Sequence, residues 1–142
     1  VGSEMCIRDR LARQAWRTVV QEEALPQALS DTHLQRIVKQ AGWVLDHPVT
    51  SAWLDPAQVG WAANELVLWH EGRPVRIDRL VRRDTPGGAQ WWVLDYKLGE
   101  SPEKLRRYEA QLQGYVEAVR ALVGHEPVQA ALIAGNGEFL PL

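Results

Sequence analysis

The chain has 142 residues, 46% of them hydrophobic, with 16 Lys and Arg against 18 Asp and Glu and a formal charge of -2. This suits one domain with a substantial core, and the near balance of charge excludes a globally basic nucleic-acid binder, so any such contact has to be local. A single cysteine, Cys6, excludes an internal disulfide framework, a four-thiolate zinc site and a four-cysteine iron-sulfur cluster, and no apolar run approaches the roughly 20 residues of a membrane-spanning helix.

Residues 1–10, VGSEMCIRDR, have no periodicity or capping logic. They resemble a peptide that arises when sequencing-adapter DNA is translated at the end of a metagenomic reading frame, so they are set aside as non-native. Residues 11–142 are then one domain, truncated at its N-terminus and once part of a longer chain. From Leu11 to Asp46 apolar residues fall at helical spacing, with Leu34, Ile37, Val38, Ala41 and Leu45 following an N-cap candidate in Ser30 or Asp31. Pro48 and Pro56 bracket a loop or short helical turn around Trp53. Trp61 to Trp69 reads as a strand. RPVRIDRLVRR alternates, placing Val75, Ile77 and Val81 on one face and Arg76, Asp78, Leu80 and Arg82 on the other, and QWWVLDYKL is a third strand. Ser101-Pro102 caps a long amphipathic helix carrying Leu105, Tyr108, Leu112, Tyr115, Val119 and Leu122. A last strand, VQAALIA from Val128, precedes a tail ending in GEFLPL. The expected fold is α/β: a central mixed sheet built of a three-stranded antiparallel meander, a crossover helix and a further strand, with N-terminal helices.

The third strand raises a chemical question. In VLDYKLG, Asp95 and Lys97 stand two apart and so point to one face of a strand that is otherwise apolar. The turns place more acids beside them. A hairpin centred on Pro86-Gly87 sets Asp78 opposite Asp95, and one centred on Glu71-Gly72 sets Glu65 opposite Asp78. Directly opposed β-carbons lie about 4.5–5.5 Å apart, where like charges repel unless a cation lies between them. Magnesium suits such oxygen donors, since it takes one or two carboxylates and leaves places for water and phosphate oxygens. Lys97 beside it would orient or help deprotonate an attacking water and offset charge on a phosphate. An isolated Asp-x-Lys is most often a surface ion pair worth about 0–1 kcal/mol, but this combination across successive strands is much rarer.

RIDRLV, WWVLDYK and QLQGY (Gln111 to Tyr115) together resemble the motifs of the PD-(D/E)xK nuclease superfamily, and specifically the RecB/AddA-like nuclease domain at the C-terminus of bacterial UvrD-like helicase-nucleases. The resemblance covers roughly Trp61 to Ile133 and implies a restriction-endonuclease-like core. It implies that Asp78 and Asp95 bind the metal, that Lys97 is catalytic, and that Gln111 and Tyr115 lie on the following helix near the active site and the DNA path; four residues apart, they share a helix face. The Tyr96 carbonyl and Glu65, which matches the first-strand glutamate of the family, are expected as further metal ligands. Two departures stand out: Arg76 replaces a frequent glycine, and the upstream helix that supplies a histidine or glutamate near the metal is expected to have preceded Leu11 and to be missing, since the surroundings of His33 differ from that motif and suit a helix-surface residue. The implied cofactor is Mg2+, with Mn2+ an alternative. The implied partners are DNA, a helicase region of the same parent chain and a partner subunit, with no membrane, in the cytoplasm.

Trp69, Trp91 and Trp92 are candidates for stacking on bases, although Trp91 and Trp92 point to opposite faces, which puts at least one in the core. Arg73, Arg76, Arg79, Arg82, Arg83, Lys104, Arg106 and Arg107 are candidates for phosphate contacts. The rival reading is a noncatalytic module that uses the same fold to grip DNA or dock a helicase.

Overall fold

The computed structural model describes residues 31–142. Residues 1–10, and the helical pattern expected upstream of Asp31, lie outside the described residues. The chain divides into two units, Val1–Trp43 and Val44–Leu142. Of the first, the described part belongs to helix α1, Asp31–Asp46, which runs on into the second. His33 is exposed on that helix.

The second unit begins with the end of α1 and a short helix α2, Thr50–Leu54. Strands β1 (Trp61–His70), β2 (Arg73–Thr85) and β3 (Gly88–Lys97) follow. A 3-10 segment, Pro102–Tyr108, leads into helix α3 (Glu109–Val123), and β4 (Val128–Ala134) and β5 (Phe139–Pro141) complete the unit. The sheet has five strands in sequential order, β1 to β5. β1, β2 and β3 are antiparallel, β3 and β4 are parallel, and β4 and β5 are antiparallel. The parallel step is the one joined by a helix, as a parallel pair requires.

Both expected hairpin registers are present: Asn64 pairs with Arg79 and Leu66 with Ile77, and Arg79 pairs in turn with Leu94. The first turn works because Glu71 and Gly72 both take positive φ, 49° and 77°, which matches the twist of the strands they join.

Two apolar clusters cover the two faces of the sheet. Ile77, Leu80, Val93, Leu132 and Ala134 pack with Leu112, Val116 and Val119 of α3. Val81, Leu94, Ala131 and Ile133 pack with Val44 and Trp53. β4, buried at six of seven positions, reads as a near-continuous apolar run because both of its faces are covered.

The structure departs from expectation in three places. Ile77 belongs to the α3-side cluster and Val81 to the other, so the alternation expected along β2 breaks between them. The break falls where Glu65 takes φ 54° and where the facing positions Glu65 and Asp78 are skipped by an otherwise continuous ladder. The tail is a fifth strand rather than an extension of the chain end. Its turn is made by Asn136-Gly137, where Gly137 N–H donates to the Ala134 carbonyl (3.0 Å) and Glu138 N–H to Asn136 Oδ1 (3.0 Å). The expected long helix begins as a 3-10 segment. With three residues per turn, side chains three apart eclipse, and this brings Leu105 and Tyr108 together against the α3-side cluster.

Candidate active site

Pairing between β2 and β3 ends at Arg79 and Leu94. One residue further on, Asp78 and Asp95 face each other where the two strands part. There Asp78 Oδ2 accepts a hydrogen bond from the Tyr96 main-chain N–H at 2.9 Å, so a side chain replaces the ladder and fixes its own carboxylate.

Asp95 is 3% exposed. Strand alternation puts it with Val93 and Lys97 on the α3 side, and the Lys97 ammonium lies 2.5 Å from its Oδ2. Among the described residues that ammonium is the polar group on Oδ2, which accepts no hydrogen bond from another. Burial raises the Asp95 pKa; the Lys97 contact pulls it down and the Asp78 charge pushes it further up, for a net rise. For Lys97, burial favours the neutral amine, but the Asp95 contact and the charges of Asp95 and Asp78 outweigh it and raise the pKa. Lys97 is therefore an ammonium here, a donor and a positive charge rather than a base. Burial also raises the Tyr96 pKa, opposed by Arg79 and reinforced by Asp78.

The site thus holds two carboxylates and one ammonium, an excess of one negative charge in a buried setting that disfavours it. Two carboxylates that share one ammonium in a largely buried setting fit a divalent cation of the magnesium type, which asks for few protein carboxylates and keeps other positions for water. Among the described residues no three His, Cys, Asp or Glu side chains form a group that could hold a metal.

The structure brings Asp78, Asp95, Tyr96 and Lys97 together and leaves Glu65 outside. The left-handed backbone at Glu65 turns its carboxylate to an exposed ion pair with Arg76. Gln111 and Tyr115 meet on one face of α3, where Gln111 Nε2 donates to the Tyr115 hydroxyl.

Several candidate DNA contacts are otherwise engaged. Arg79 is buried, donating to the Trp53 carbonyl (3.3 and 3.2 Å) and to Asn64 Oδ1 (2.7 Å), so it ties α2 and β1 to β2. Arg82 pairs with Asp84 and Glu126, and Arg83 stacks 4.3 Å over Trp53. Trp91 packs edge-on to Trp61 and donates to Glu126, while Trp92 packs against Trp53 and Phe139. Both tryptophans are therefore structural, whereas Trp69 is 73% exposed. Sequence reasoning missed Tyr108, whose ring lies 4.6 Å from the Lys97 ammonium. The signal was available in the three-residue spacing from Leu105, had the segment after Ser101-Pro102 been read as 3-10.

The profile of the PD-(D/E)XK nuclease superfamily matches residues 3–138. No curated protein matches the sequence. The chain belongs to the PD-(D/E)XK nuclease superfamily, and its five-stranded mixed sheet with helices is consistent with the restriction-endonuclease-like fold.

Proposed function

We propose that this member of the PD-(D/E)XK superfamily is a metal-dependent DNA nuclease domain that hydrolyses phosphodiester bonds, with Mg2+ as its ion and Mn2+ able to replace it. Its resemblance to the RecB/AddA-like domains supports a place at the C-terminus of a cytoplasmic helicase-nuclease that processes double-strand breaks, next to a helicase region of the same parent chain and a partner subunit. Among the described residues no helix is long and apolar enough to cross a membrane.

The observation that carries the reading is the buried Asp95 carboxylate, set beside a second acid with which it shares one ammonium. Asp78 and Asp95 would hold the cation with the Tyr96 carbonyl, and Glu65 stays outside while it is paired with Arg76. When bound, a divalent cation supplies positive charge that polarises the phosphate ester and acidifies water. Water oxygen bonds to phosphorus and releases a proton to solvent, the ester P–O bond breaks, and the departing oxygen takes a proton from solvent. Lys97 orients the water by donating to it and neutralises charge that builds on the phosphoryl oxygens. Gln111 and Tyr115 border the DNA path.

The test is cleavage of DNA by the full chain with Mg2+, with chelator, and after Asp95→Ala. Cleavage is expected only in the first case, with the variant's melting curve retained; undiminished cleavage by Asp95→Ala would refute the assignment. The internal Lys97–Asp95 pair favours one rival, a noncatalytic DNA-gripping or helicase-docking module. Calorimetric titration separates the two. Mg2+ binding that disappears in Asp78→Asn supports the nuclease, whereas DNA binding without any metal binding supports the rival.

A further inference from the structure

Lys97 is held from two sides. Asp95 Oδ2 lies 2.5 Å from its ammonium, and the Tyr108 ring centroid 4.6 Å. The first of these contacts cannot persist through turnover under the nuclease reading, because the same oxygen is a proposed cation donor. A divalent charge there would both compete for the carboxylate and repel the ammonium, and the flexible four-carbon stem would let Lys97 swing toward solvent.

Tyr108 is not exposed to that competition. Its ring packs on the α3-side core beside Leu105, which is 2% exposed. Its hydroxyl accepts from Arg107 Nη2 at 3.1 Å and donates to Glu100 Oε1 at 3.4 Å. Glu100 also holds Arg107 in an ion pair, and the Arg107 guanidinium carbon is 5.0 Å from the same ring. The ring is therefore fixed by core packing and by a polar cluster that includes neither aspartate, and its π-face attracts the ammonium at a distance where cation-π attraction is effective.

We propose that Tyr108 is a positioning residue that keeps the Lys97 ammonium beside the scissile phosphate when Asp95 is engaged elsewhere. This deepens the nuclease reading and rests on it. It requires the aromatic face and not the hydroxyl.

The test uses the full chain and two variants, Tyr108→Leu and Tyr108→Phe. In proton NMR of the metal-free wild type, the Lys97 ε-methylene protons should be displaced upfield by the ring; Tyr108→Leu should abolish the displacement and Tyr108→Phe preserve it. In steady-state cleavage with Mg2+, Tyr108→Leu should lower kcat roughly 3- to 30-fold, with KM and the Mg2+ half-saturation point unmoved, and Tyr108→Phe should restore most of the loss. A purely structural role would shift neither the Lys97 protons nor kcat alone. Lys97 protons at free-lysine positions in the wild type, or a full kcat for Tyr108→Leu, would overturn the proposal. A wild type that cuts no DNA sinks the nuclease reading instead, and the placement of Lys97 by Tyr108 then stands or falls on the spectrum.

Discussion

The two halves of β2 follow different rules. From Arg79 to Thr85 the strand has regular ladder pairs with β3 throughout, and as far as Arg82 with β1 as well. From Arg73 to Ile77 it pairs with β1 alone. In the first half backbone groups satisfy one another and side chains alternate between two apolar cores. At the junction that arrangement stops, and polar side chains take over: Asp78 binds the Tyr96 N–H, Arg79 binds the Trp53 carbonyl, and Glu65 turns outward to Arg76. A carboxylate pair is tolerable there because the end of the ladder leaves a main-chain donor for one acid while an ammonium faces the other. In the middle of the sheet the same two acids would meet only apolar side chains.

The largest expected effect falls on the junction itself. Lys97→Ala should reduce kcat by about 10²- to 10³-fold, the range for losing one preorganised donor at developing charge, measured in steady-state cleavage with Mg2+ saturating; a loss below tenfold would mean that the ammonium is not at the reaction centre. The next test concerns how firmly the outer half is packed. Ile77 is fully buried although β3 does not pair with it, so Ile77→Ala should cost about 2–5 kcal/mol in urea unfolding, and a cost under about 1 kcal/mol would show the outer half to be only loosely seated. Smaller still is the turn that sets its register. Gly72 has φ 77°, and Gly72→Ala should cost roughly 1–2 kcal/mol while leaving the unfolding slope unchanged.

The smallest effect is in pH dependence, measured with chelator present. Asp95 has a folded pKa raised above 3.8 by burial, opposed by Lys97 and reinforced by Asp78. Its contribution to stability is then fully present below 3.8 and is lost as pH rises through the folded value. The melting temperature of the wild type minus that of Asp95→Asn should therefore decrease from pH 3 upward. An increase over that range would show that Lys97 overcompensates burial and that the pair is a stabilising bridge.

Much of the junction was legible beforehand because its determinants are local. Glu71-Gly72 and Pro86-Gly87 are turn chemistry, and strand register follows from the turn. The period of two then obliges Asp95 and Lys97 to share a face whatever surrounds them. The fifth strand had a local signal as well, in Asn136-Gly137, but three residues ending in Pro141 are too few to display alternation. The outward turn of Glu65 had none, since a positive φ at a glutamate is imposed by its surroundings and goes against the residue's own preference.

What the amino-acid order determined by itself was the hairpin registers, the apolar core strand β4 and the motif residues that identify the superfamily, all of them set within one strand or across one turn. Which of the three expected acids leaves, the burial of Arg79 and the ring beneath Lys97 were decided only by tertiary structure. Those features depend on where the β2–β3 ladder ends and on what packs there from segments distant in sequence, which no short-range pattern encodes.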